Sequence, residues 1–86
     1  VPAQALIMMN DPFVHEQSKI WAEKIRSTNQ PVKDIVSQMY YEALSRPPSN
    51  DELNDALTFL GENPDANVLT DFAHVLFNTK EFIFIR

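Results

Sequence analysis

The chain has no cysteine and a single glycine, Gly61. Without thiols it can hold no disulfide, no thiolate metal centre and no cysteine nucleophile, and cysteine usage says nothing about redox compartment. One glycine excludes a glycine-rich phosphate loop. Basic residues are few and scattered: Lys19, Lys24, Arg26, Lys33, Arg46, Lys80 and Arg86. The formal net charge is −5 at pH 7. Nucleic acid is therefore not an expected partner, because phosphate neutralisation needs clustered Lys and Arg, and the same scarcity argues against an anionic membrane surface. No apolar run approaches the ~20 residues that span a bilayer. No basic-then-apolar leader opens the chain. Val1-Pro2 lacks an initiator Met, so the sequence reads as a processed chain or a piece of a longer protein.

What is present is a set of apolar stripes at helical spacing. A hydrophobic content of 44% over 86 residues fits one small globular domain and excludes a disordered chain. The clearest stripe is Val32, Ile35, Val36, Met39 and Ala43, flanked by Tyr40 and Leu44, which predicts a helix ending at Ser45-Arg46-Pro47-Pro48. The two prolines offer no N–H and restrict the residues before them. This helix is expected to be the central one. Before it, Asp11 and Pro12 read as N-cap and first helical position. The helix they open should run to about Ser27, with Val14, Ser18, Trp21, Ala22 and Ile25 inward and Phe13 and Ile20 widening that face. After it, Ser49-Asn50-Asp51-Glu52 has capping-box spacing. The helix it opens carries Leu53, Ala56, Leu57 and Leu60, with Gly61 expected as a left-handed cap. Asn63-Pro64 predicts the start of a last long helix, about Pro64 to Phe77, presenting Val68, Leu69, Phe72, Ala73, Val75 and Leu76. Trp21, Met39, Leu57 and Phe72 should share one core. The apolar ends, Leu6 to Met9 and Phe82 to Ile85, are expected to dock as a short helical turn and a tail.

Candidate chemistry is thin. His15 and His74 are the only histidines. A metal site would need them close together with carboxylates beside them. Asp71 and His74 share a helix face at i, i+3, but the favoured reading is a surface histidine beside a surface acid. Asp11, Asp51, Glu52 and Asp65 sit at helix starts, where they cap and complement the dipole rather than form a catalytic pair. Serines 18, 27, 37, 45 and 49 have no nucleophile-elbow context. Trp21 and Tyr40 read as core rings with a polar tip at the edge. No catalytic, cofactor-binding or metal-ligating residue is assigned, and no cofactor is expected in this segment. Arg46 is expected to donate to helix-end carbonyls near Ala43 and Leu44 and to meet an acid, Glu81, with Asp11 the runner-up. The Phe82 and Phe84 rings are the candidate interaction surface.

Three segments carry a resemblance: Asn10-Asp11-Pro12-Phe13-Val14; Ala43-Leu44-Ser45-Arg46-Pro47-Pro48 followed by Glu52-Leu53; and Leu76-Phe77-Asn78-Thr79-Lys80-Glu81-Phe82-Ile83-Phe84. Together they resemble the C-terminal end of a domain of unknown function that closes large exported proteins of the planctomycete cytochrome-c type. Position 45 is more often glycine in that family, and Thr79 stands where serine is usual. The resemblance implies the tail of a longer exported protein whose upstream regions would carry any haem. This segment has no Cys-x-x-Cys-His with which to attach one.

These readings predict an all-α fold: a single helical domain over residues 1–86 with four main helices, a short N-terminal helical turn and a docked apolar C-terminal tail. The expected role is a non-catalytic C-terminal module, structural or protein-contacting. Its expected partners are the upstream domains of a parent protein or another protein, with no nucleic acid and no membrane span. The rival is part of an enzyme whose active site is built mostly upstream. A pocket lined by Arg46, Asp71, His74 and Glu81 would favour the rival, and an exposed stripe using Phe82 or Phe84 would favour interaction.

Overall fold

The computed structural model describes residues 12–79. Among these residues the fold is all-α, with four helices: α1 Pro12–Arg26, α2 Val32–Leu44, α3 Asn50–Leu60 and α4 Ala66–Phe77. All four contribute to one buried cluster. The expected docked ends, Leu6 to Met9 and Phe82 to Ile85, and the Asp11 cap lie outside the described residues.

Helix starts follow from local chemistry. Pro31, extended at φ −57 and ψ 148, precedes α2 without a side-chain cap, and its carbonyl accepts from the N–H groups of Asp34 and Ile35. Ser49 caps α3 in a full capping box: the Glu52 N–H donates to Ser49 Oγ at 3.2 Å and the Ser49 N–H donates to Glu52 Oε1 at 2.9 Å. The start of α4 differs from expectation. Asp65, not Asn63, is the cap, and its Oδ1 accepts from the Val68 N–H at 2.9 Å. An ionised carboxylate at the positive end of a helix outcompetes a neutral amide two residues earlier, so Pro64 stays outside the helix.

The helix ends also depart from expectation. The left-handed cap belongs to Ser45, at φ 60 and ψ 29, whose N–H donates to the Tyr41 carbonyl at 2.9 Å. Gly61 has φ 75 but ψ −170, a region open essentially to glycine alone, and is not the left-handed cap. Pro47 keeps Arg46 out of the helical region, so the helix has to end at Ser45, which takes the left-handed capping conformation.

Among the described residues the most extensive helix–helix contact is α1 with α4, while α2 touches all three other helices. The predicted central role is therefore shared. The reason is side-chain size. Ser18 and Ala22 on α1 and Ala73 on α4 are wholly buried, and small residues at a contact let two helix axes approach. The Ser18 hydroxyl is satisfied within its own helix, donating to the Val14 carbonyl at 2.8 Å. Leu69, Phe72 and Leu76 share the buried cluster with Ile25, and Val14 is buried as well. Of the four residues expected to share a core, Met39 and Phe72 lie in it and Trp21 and Leu57 pack against its edge. Phe13, Ile20 and Val75 were expected inward, yet they are 63%, 48% and 55% exposed. At roughly 100° per residue each falls outside the arc centred on its buried neighbours.

Two outcomes follow. Ala22→Leu inserts bulk where α1 and α4 nearly touch and should destabilise by about 1–3 kcal/mol or more in denaturant melts. Ser45→Gly should stabilise by about 0.5–1 kcal/mol, because a left-handed conformation costs a side-chain-bearing residue ~1–2 kcal/mol and glycine returns part of that as lost chain entropy. The corresponding rise in melting temperature is ~2–8 °C for a domain this size.

Candidate functional site

Two constellations of polar side chains stand out, one at the corner between α2 and α3 and one across α1 and α4. At the corner, the chain turns through Ser45 and two prolines, so the Arg46 backbone has little freedom and its side chain is aimed back over the turn. Its guanidinium makes a two-pronged contact with Glu52, Nη1 to Oε1 at 2.8 Å and Nη2 to Oε2 at 3.0 Å. Nη1 also donates to the Pro47 carbonyl at 2.9 Å, which is the carbonyl seen here in place of the expected ones near Ala43 and Leu44. The guanidinium lies 5.8 Å from the centre of the Tyr40 ring, within cation–π range. Glu81, the acid expected for Arg46, is outside the described residues, as are Phe82 and Phe84. Among the described residues the acid is Glu52, already the reciprocal partner of the Ser49 cap.

This double engagement shapes the electrostatics. The Glu52 carboxyl is held at about 2, from an ordinary 4.5, first by the Arg46 hydrogen bond and then by the Ser49 N–H.

On the other side, His15 in the first turn of α1 meets His74 in the last turn of α4. His15 Nδ1 and His74 Nε2 are 3.2 Å apart. The ring centres are 5.3 Å apart and the planes tilt by 50°, so the rings meet at their nitrogen edges rather than stacking. The i, i+3 reading of Asp71 with His74 missed this pairing, because 59 residues separate the two histidines. No third His, Asp or Glu joins them among the described residues.

A third feature was not legible in the sequence. Trp21 Nε1 donates to Glu42 Oε1 at 2.7 Å, Gln38 donates to Glu42 Oε2 at 2.9 Å, and Gln30 donates to both Gln38 and Thr28. This chain of hydrogen bonds ties α1 to α2, whose backbones touch lightly. Trp21 also meets Phe77 edge-on at 5.6 Å. At the far end of the molecule from the histidines, a half-open cavity of about 210 Å³ is lined by Arg26, Asn29, Gln30, Val32, Ile35, Glu62, Asn63, Pro64 and Leu69. Arg46, Asp71 and His74 are not among its walls.

Residues 1–60 match the family described as PSD1, a protein of unknown function (DUF1553). The chain belongs to the DUF1553 family. The DUF1553 match takes in α1, α2 and α3 and stops at the last residue of α3, so the segment of the resemblance from Leu76 to Phe84 lies beyond it. No curated protein and no solved structure matches the chain. No helix among the described residues is long and apolar enough to cross a membrane.

The Arg46–Glu52 contact predicts an acid-dependent stability. Above pH ~4.5 the Glu52 carboxyl is ionised in both folded and unfolded chains and the contact contributes in full; as the pH falls, the unfolded chain takes up its proton first, and the contribution is lost progressively toward pH ~2. Both side chains stay about a third exposed (34% and 35%), so screening holds the contribution to about 1 kcal/mol. Glu52→Gln should remove that pH-dependent increment from urea melts run between pH 5 and 2. Arg46→Lys should recover only part of the loss seen in Arg46→Ala, because a point charge cannot reproduce the fork.

Proposed function

We propose that this chain is a non-catalytic helical module, the C-terminal part of a large exported cytochrome-like protein, with a structural or protein-contacting role. One observation carries this reading: outside the histidine pair, most of the hydroxyls, the Asp65 cap and the Arg46–Glu52 contact hold the fold's own backbone and corners. The hydroxyls of Ser18, Ser27, Thr28, Thr70 and Thr79 donate to nearby backbone carbonyls. Ser49 and Asp65 accept from helix-start N–H groups, and Arg46 and Glu52 close a corner. A fold whose polar groups are committed in this way suits a supporting piece.

The exported setting and the planctomycete cytochrome-like parent rest on the sequence resemblance. Phe82 and Phe84 are the proposed contact surface, and the upstream domains of such a parent are the proposed first partner. Ile20, Tyr41, Phe59 and Val75, exposed on four different helices, offer further apolar contact points.

Amide hydrogen exchange tests the reading. The isolated 86-residue chain is compared with the same segment inside a longer DUF1553 protein. Protection gained at Phe82 to Phe84, and lost again in a Phe82→Ser/Phe84→Ser variant with unchanged helical content, is the expected result. Identical exchange of the segment in both settings would refute a contact role.

A further inference from the structure

We infer that His15 and His74 form a chelating site for a divalent transition-metal ion of the zinc, nickel or copper class, clipping the start of α1 to the end of α4. The distance between the ring nitrogens carries the inference. Two imidazole nitrogens bound to one ion at ~2.0–2.1 Å lie about 2.9 Å apart at a right angle and about 3.4 Å apart at the tetrahedral angle. Here His15 Nδ1 and His74 Nε2 are 3.2 Å apart, inside that interval. A stacked pair would turn its faces together and leave no common point for the two lone pairs. These rings are tilted by 50° with centres 5.3 Å apart, so they are not stacked, and the two nitrogens that face each other are the ones an ion could bridge.

The helices hold this geometry without the ion. His15 sits one residue after the buried Val14, and His74 sits between the buried Ala73 and the exposed Val75. Both histidines therefore sit on the two helices that contact each other most extensively among the described residues, and that carry the wholly buried small residues Ser18, Ala22 and Ala73. Packed helices fix the two backbone anchor points, and the mutual hydrogen bond already holds the rings together, which lowers the cost of a chelate relative to two independent imidazoles.

The protonation balance is simple. In the free pair one ring donates its N–H to the other. On binding, the donating ring moves that proton to its other nitrogen, and two lone pairs then face the ion. No net proton is released from a neutral pair. No carboxylate joins the pair among the described residues; His15 is exposed and His74 half-buried, so water takes the coordination positions that carboxylates would otherwise fill. Nitrogen donors select zinc, nickel and copper over the oxygen-seeking magnesium and calcium. The site is independent of the module reading, since a metal clip within the bundle needs no partner.

Imidazole nitrogen resonances of the full 86-residue chain, followed by NMR during titration with zinc sulfate, test the inference. His15 Nδ1 and His74 Nε2 should shift together and saturate at one ion per chain, while magnesium sulfate leaves both in place. His15→Gln and His74→Gln should each weaken zinc binding by roughly tenfold or more, since loss of a direct ligand costs at least as much as loss of a supporting one. Zinc should also raise the melting temperature of the parent chain and not of either variant. A shift of one ring only, no shift at millimolar zinc, or undiminished binding in the double variant would each overturn the site. The wild-type spectra decide the question even if a variant folds poorly.

Discussion

The structure depends on how closely α1 and α4 approach each other. Three small side chains, Ser18, Ala22 and Ala73, sit wholly buried where these helices meet. Small side chains at a helix contact let the axes approach, and protein interiors fill the space around such contacts densely. A serine is tolerated there because its hydroxyl turns back to the Val14 carbonyl, leaving no unsatisfied donor in the core. The same contact brings His15 against His74 and lets Trp21 meet the edge of Phe77. The polar features on this side of the molecule inherit their geometry from three residues that carry little chemistry of their own.

The second constraint is the corner after α2. Ser45 is left-handed, two prolines follow, and the next helix must begin at Ser49. Glu52 makes this economical because a carboxylate has two oxygens. Oε1 completes the capping box while also accepting from Arg46, and Oε2 takes the second prong of the guanidinium. One side chain thus defines both where α3 starts and how the turn before it is closed. Tyr40 beneath the guanidinium joins this corner to Phe72 and the core.

Where the sequence carries its information locally, the fold was legible. The stripe from Val32 to Leu44 and the capping box at Ser49 depend on residues within one or two turns, and both are as the spacing predicts. Asp65 displacing Asn63 as a cap is a competition between two plausible acceptors, which spacing alone does not rank. Ser45 takes the left-handed position although serine has no preference for it, since the helix has to end before the Pro47-restricted Arg46. Phe13, Ile20 and Val75 show a different failure: apolar character was read as burial, although ordinary protein surfaces retain much apolar area. The histidine pair and the Trp21–Glu42–Gln38–Gln30 chain of hydrogen bonds were out of reach for another reason. They join residues whose proximity exists only after the helices pack, and no periodicity encodes it.

The partnership of the first described helix with the last has a consequence for synthesis. A chain emerging from the ribosome presents α1 first, and α2 and α3 follow before α4 can be reached. Until then the stripe of Val14, Ser18, Ala22 and Ile25 has no close counterpart. Closing the longest loop in the domain comes last, and contacts between distant segments are slow to form because chain entropy must be lost before they are gained. The apolar face of α1 is consequently uncovered until α4 is available, the period in which a nascent chain is most prone to misassociate.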